Sequence, residues 1–309
     1  MIIEKKKKGN ITVYIVDKDY DDNKLDKVIS KKIKKGQIKD IIDYDADVYT
    51  KDGKLLLKFR KNKLNKKYID DFYDNIIDFA HSKTTTRATA SGMKTSNLAK
   101  NPAVMTNIFG FFDIISPRQR FFLKQQGKTL KMNARECKFN MDNPEKYKKT
   151  LPLIKQIDEY YEKYAPENYK AQRKKANQTQ FKIQGTSFTT VTTNVNFQIA
   201  VHTDKGDDND GFGNLAVIER GKYKGGETCF PQYGVGVDVR NGDVLFMDVH
   251  QAHGNLPLEL ETKDAVRLSI VCYLRKQLWS NTKGKSKKVM QAHNNFIKNA
   301  RKTRKNKKT

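Results

Sequence analysis

Cysteine is scarce in this 309-residue chain. Cys137, Cys229 and Cys272 are odd in number, widely spaced and never in a C-x-x-C, which argues against a disulfide framework or a thiolate zinc site and for reduced thiols inside a cell. Long apolar runs are missing as well. None approaches the length of a membrane span, and the opening MIIEKKKKGN lacks the apolar stretch of a secretory leader. The expectation is a soluble, intracellular monomer with no membrane partner. Acid is in deficit: 61 Lys and Arg face 35 Asp and Glu, for a formal net charge of +26. Such a field favours polyanions, nucleic acid above all. A composition rich in Lys, Asn and Ile also leaves many lysines that are simply solvated surface.

Composition and periodicity divide the chain into four parts. Residues 1–66 read as a β-rich lead-in, in which Asp47 to Lys61 alternates around an Asp52–Gly53 hairpin turn and LDKVISKKIKKGQIKDII suits a short helix. Residues 67–180 read as helical and loop support. Within them Tyr68, Phe72, Ile76 and Phe79 fall at amphipathic helical spacing, and Asn143–Pro144 opens a long helix whose start is either there or near Thr150. Between these lies the polar loop TTTRATASGMKTSN with Arg87 and Lys94, a surface linker or a binding loop. Residues 181–279 alternate strand and turn, and residues 280–309 form a basic tail with a short helix around Val289 to Ile297.

The chemistry concentrates between Phe188 and Arg275. His202 and Asp204 are two apart at the end of an apolar strand, so their side chains share a face. A second imidazole from another strand, His250 or His253, completes a facial set of two histidines and one carboxylate, which leaves metal positions open and suits Fe(II). Arg267 follows in a β-branched run, where a guanidinium can grip a carboxylate in a two-pronged fork. Asn194 and Asn196 are placed on one face of the preceding strand, either as contacts to a bound molecule or as a polar ladder satisfied by backbone. DKGDDNDGFG lacks the spacing of a calcium loop and reads as a flap at the mouth of the site.

The segments FTTVTTNVNF before HTD, GFG, GKYKGGETCFPQY, VDVRNGDVLFMDVHQAHGN and RLSIVCYLR together resemble the TET/JBP-like group of the 2-oxoglutarate- and Fe(II)-dependent dioxygenases. The fold that this resemblance implies is α+β, a double-stranded β-helix (jelly-roll, cupin-like) core with helices packed on one side. The implied ligands of Fe(II) are His202, Asp204 and His253, since the family pattern D-x-H-x-x-H-G-N selects the histidine before Gly254–Asn255; His250 becomes a neighbour or a substrate contact. Arg267 and Ser269, co-facial on their strand, take the far carboxylate of 2-oxoglutarate, with Asn194 beside them and O2 as the other co-substrate. Arg87 stands in an R-x-x-A-x-G loop like that of the family and, with Asn196 and His250, is a candidate substrate contact. The implied reaction is hydroxylation of the 5-methyl group of 5-methylcytosine or thymine in DNA, in the nucleus or another DNA-containing compartment. DNA would be held by the basic surface and tail. Prolyl or lysyl hydroxylation of protein, or action on RNA, are the alternatives.

Overall fold

The computed structural model describes residues 1–93, 100–115 and 117–305; Lys94 lies outside them. The strands are β1 (Ile2–Lys8), β2 (Ile11–Val16), β3 (Asp40–Ile42), β4 (Ala46–Thr50), β5 (Leu55–Arg60), β6 (Thr106–Phe112), β7 (Arg135–Glu136), β8 (Thr190–Val195), β9 (Gly213–Arg220), β10 (Tyr223–Gly225), β11 (Thr228–Phe230), β12 (Val235–Val237), β13 (Val244–Met247), β14 (Gly254–Asn255), β15 (Leu258–Leu260) and β16 (Val266–Tyr273). The helices are α1 (Asp22–Val28), α2 (Lys66–Ala80), α3 (Pro117–Gln125), α4 (Lys138–Asp142), α5 (Pro144–Tyr164), α6 (Pro166–Ala176), α7 (Lys276–Thr282) and α8 (Lys287–Lys305). Among the described residues a ten-stranded sheet runs β1-β2-β4-β5-β13-β9-β16-β8-β6-β7, faced by a smaller sheet β14-β11-β12-β3. This is the two-layered jelly roll expected of the core.

Period-2 alternation sorts the large sheet into two faces. Leu215 and Val217 of β9 and Leu245 and Met247 of β13 point toward Phe230, Val235 and Val237 of the small sheet, where Val48, Leu57 and Phe59 of the lead-in join them. The alternate residues Ala216, Ile218, Val244, Phe246, Leu268, Ile270 and Cys272 point outward, under α2 and α5. There Phe72, Ile76, Leu153, Ile157 and Tyr161 cover them, and the Tyr161 hydroxyl accepts from the Phe212 N–H at 2.9 Å. Residues 2–60 therefore extend the large sheet itself: β5 pairs with β13 in antiparallel register from Val244↔Arg60 to Met247↔Leu57.

Several local expectations shift. The run 25–42 is helical only to Val28, after which Ser30 adopts φ +67°. Lys31, Lys32, Lys34 and Lys35 would repel one another at three- and four-residue spacing on a helix, and β3 takes the end of the run. The long helix starts at Pro144 rather than Thr150, with Pro144 in its first turn, where a missing N–H costs nothing, and Pro152 inside it. The basic run AQRKKA forms the second half of α6. The tail helix runs to Lys305 because Met290, His293 and Ile297 give it a buried side, and His293 Nε2 lies 2.7 Å from the Ala134 carbonyl. Among the described residues no helix is long and apolar enough to cross a membrane.

Candidate active site

His202 and His253 are partners in an isolated antiparallel bridge: each backbone N–H donates to the carbonyl of the other at 2.9 Å. Two chain segments some fifty residues apart in sequence are thereby locked so that the imidazoles stand side by side, ring centroids 4.3 Å apart. Nδ1 of His202 lies 2.9 Å from the Ala200 carbonyl, and Nδ1 of His253 lies 2.9 Å from the Gln251 carbonyl. With both Nδ1–H groups donating to backbone, both Nε2 atoms face inward, the arrangement that orients imidazoles toward a metal. Asp204, held by its own N–H to the Val249 carbonyl at 2.9 Å, brings Oδ1 to 3.6 Å from His202 Nε2 and Oδ2 to 3.6 Å from His253 Nε2. One ligand atom from each of the three lies within 4.8 Å of the others.

Electrostatics favour an anionic oxygen between two nitrogens. Burial opposes ionisation of Asp204, but the hydrogen bond from His253 and the charges of both imidazoles outweigh it and hold the carboxyl below its usual range. Burial lowers the His202 pKa, and His253 adds to this. At His253 burial pulls the same way, yet the hydrogen bond and charge of Asp204 win and raise it. Two imidazoles and one carboxylate facing one point on an open cavity are the donor set that a divalent iron needs.

The cavity has a volume of about 380 Å³ and is walled by the inward faces of β8 and β16. Thr192 and Asn194 come from one strand, Arg267, Ser269, Val271 and Tyr273 from the other, and Ser269 pairs with Asn194 in register. Asn194 Nδ2 donates to Ser269 Oγ at 3.1 Å, whereas Asn194 Oδ1 and Thr106 Oγ1 are buried with no partner among the described residues. Arg267 is 5% exposed, burial lowers its pKa, and it makes no ion pair among the described residues. A buried guanidinium stays charged and is costly without an anion. Gly226 (φ +82°) gives it room, since a Cβ there would lie 2.9 Å from Arg267 Nε. The cavity thus presents an unmatched cation and orphaned polar atoms beside an open donor set, which is what a metal-chelating dicarboxylate fits.

The other expected residues divide. Arg87 lines the cavity with Nε buried and unpartnered among the described residues. Asn196 does not share the face of Asn194. It leaves the strand at φ +45°, donates through Nδ2 to the Ala265 carbonyl at 2.8 Å and accepts from the Arg267 N–H at 2.7 Å, so it fastens the start of β16 instead of facing the cavity. His250 also lies outside the cavity lining: its Nε2 is 2.9 Å from the Asp208 carbonyl. The DKGDDNDGFG segment is tied down rather than a loose flap. Asp208 is buried against Lys175, and Asp207 sits in a bridge with Arg275. Arg275 forks onto Asp113 (Nε–Oδ1 2.9 Å, Nη2–Oδ2 3.3 Å) and reaches Asp207 at 3.7 Å. Burial and then the charge of Asp204 push the Asp207 carboxyl well above its normal range, with Arg275 opposing. Arg275 follows two residues after the end of β16, and no motif around Asp113 marks the acid as its partner.

Comparison with known proteins places these features. Residues 121–276 match the Tet/JBP family, described as the oxygenase domain of the 2-oxoglutarate- and Fe(II)-dependent superfamily. The bifunctional helicase and thymine dioxygenase JBP2 of Leishmania braziliensis is 33% identical over 208 residues, 64% of this chain and 18% of that protein. The thymine dioxygenase JBP1 of Trypanosoma brucei brucei is 29% identical over 206 residues, 66% of this chain and 22% of that protein. The chain thus spans about a fifth of the length of these relatives. In three dimensions it is similar to NgTET1, solved in complex with 5mC DNA, with a TM-score of 0.51 at 15% identity over 84% of this chain and 89% of that one. Covering 84% of the chain, that likeness extends well beyond residues 121–276.

Proposed function

The chain belongs to the TET/JBP family of 2-oxoglutarate- and Fe(II)-dependent oxygenase domains, and from that premise we propose that it hydroxylates the 5-methyl group of a pyrimidine in DNA. The observation that carries the reading is the pairing of the His202–Asp204–His253 cluster with the buried, unpaired Arg267 in one cavity. His202, Asp204 and His253 would hold Fe(II), and Arg267 would grip the far carboxylate of 2-oxoglutarate, with the Ser269 hydroxyl, which accepts from Asn194 Nδ2 at 3.1 Å, donating a hydrogen bond beside it. Bound iron and 2-oxoglutarate supply the O2 chemistry that inserts oxygen into an unactivated C–H bond.

This chain's residues bind and orient. The Nδ1 contacts to Ala200 and Gln251 keep both Nε2 atoms presented. Val271, Leu215 and Met247 add apolar lining that limits water around the reacting atoms. A base in duplex DNA has to leave the stack to enter such a cavity. Arg87, at the cavity wall, is the candidate contact to the flipped nucleotide. 5-Methylcytosine and thymine differ at the position-4 group, and the names of the relatives in the two comparisons divide between them. The substrate implies work in a nucleus or another DNA-containing compartment.

The test is anaerobic loading with Fe(II) and 2-oxoglutarate, then air with duplexes containing 5-methylcytosine or thymine, followed by nucleoside mass spectrometry beside His202→Ala. A hydroxymethyl base formed by wild type alone is the expected result. Succinate without any oxidised base would leave the iron site standing and sink the DNA reading.

A further inference from the structure

Between α1 and β3 the chain makes a loop whose lysines have no role in the site described so far. Lys31, Lys32, Lys34, Lys35 and Lys39 are all exposed, while Ile33 and Ile38 between them are buried. No acidic residue occurs from Ile29 to Lys39. Ile33 and Ile38 pack with Val201 and Ala252, the residues immediately before His202 and His253. Backbone bonds add to this anchoring: the Ser30 N–H donates to the Val201 carbonyl at 2.8 Å, and the Val201 N–H returns to the Lys31 carbonyl at 2.9 Å. Gln198 Nε2 donates to the Ile33 carbonyl at 2.8 Å, and the loop closes on itself through the Lys34 N–H to Gln37 Oε1 at 2.6 Å. Ser30 itself lines the cavity. Gly92 lies so close to it that a Cβ there would meet the Ser30 carbonyl oxygen at 2.2 Å. The loop is therefore clamped to the histidine bridge and set at the edge of the cavity, with its cations outward.

Those cations are not neutralised by the protein. Lys31, Lys32 and Lys34 have no ion pair among the described residues, and Lys35 meets Glu259 at 2.9 Å with both side chains more than 60% exposed. Solvated pairs of that kind bind weakly. We propose that Lys31, Lys32 and Lys34 form a backbone clamp that holds the nucleic-acid phosphates flanking the nucleotide drawn into the cavity. The proposal rests on the nucleic-acid substrate argued above and adds the element that positions it. Point-charge ammonium groups on long stems suit phosphates of any sequence, giving affinity without base reading. Fastening the loop to the residues beside the metal ligands fixes the register between the gripped backbone and the reacting centre.

The experiment compares wild type with Lys31→Gln/Lys32→Gln/Lys34→Gln and with a charge-matched control, Lys148→Gln/Lys149→Gln/Lys155→Gln, on α5 behind the sheet. Binding to duplex DNA is measured across a salt series, together with base oxidation and succinate formed in the absence of DNA. Each lost phosphate contact lowers the slope of log K against log salt by about 0.9, so the loop variant should lose about 2 to 3 units of slope. Its DNA-independent succinate formation should stay at the wild-type level, and the control should lose less than one unit. Equal losses in both variants, or an unchanged slope in the loop variant, overturn the clamp while wild-type turnover still supports the DNA reading. If wild type neither binds duplex nor oxidises its bases, the reading beneath the proposal fails, and the clamp with it.

Discussion

At the scale of single residues, the cavity turns on Arg267 and the space around it. Replacing a buried, unpaired guanidinium by an apolar chain of similar length removes a desolvation cost, so Arg267→Met should melt no lower than wild type. The same change removes a two-pronged charged contact worth about 1.5–3 kcal/mol, so 2-oxoglutarate should bind roughly 10- to 100-fold more weakly. Calorimetry of 2-oxoglutarate binding beside a thermal melt reads both; unchanged affinity would remove the arginine from the co-substrate site. Gly226→Ala should weaken binding without deleting the charge, because its Cβ would crowd Arg267 Nε at 2.9 Å on a backbone with φ +82°. The grouping of His202, Asp204, His253, Asn194, Arg267 and Ser269 was legible because two-residue alternation and the ordered motif place them together. Asn196 was misplaced by that same alternation: parity holds only while the strand lasts, and φ +45° ends it. The Arg275–Asp113 fork was hidden because its partners are 162 positions apart, with no motif at the acid.

Among the elements, the helices behind the sheet carry a buried carboxyl with a measurable signature. Asp158 of α5 accepts from the Ser187 N–H at 2.8 Å and from the Ser187 hydroxyl, with Arg173 at 3.5 Å. Burial nevertheless raises its pKa, against those hydrogen bonds and the arginine. A carboxyl raised in the folded chain holds its proton longer there than when unfolded, so stability falls as pH rises from about 4 through the raised value. Asp158→Asn should therefore gain on wild type as pH climbs from about 4 through that raised value, read as a widening difference in Tm. A difference that stays constant with pH would refute it. The Asp52–Gly53 hairpin and α2 were readable because turn chemistry and apolar spacing act locally. The short α1 and the long α8 were not, since like-charge repulsion stops the first and packing on Ala134, Leu123 and Phe111 extends the second.

The whole molecule joins a family domain to a lead-in that completes its sheet. The family match begins at residue 121, yet Val48, Leu57 and Phe59 sit in the same core as Leu215 and Leu245. Removing residues 1–65 would bare the edge of β13 and take away eight of the eighteen buried residues of that core, and the remainder should fail to fold, as a dispersed amide NMR spectrum would disprove. With a net charge of +26, the duplex binding proposed above should depend steeply on salt, and a flat salt series would deny backbone contacts any share. The layout also separates two inheritances. The metal-facing triad comes from the segments around the His202–His253 bridge, whereas the anion grip belongs to the register of β8 against β16. A substitution in the second should therefore change which organic acid the cavity can accept while leaving the first whole.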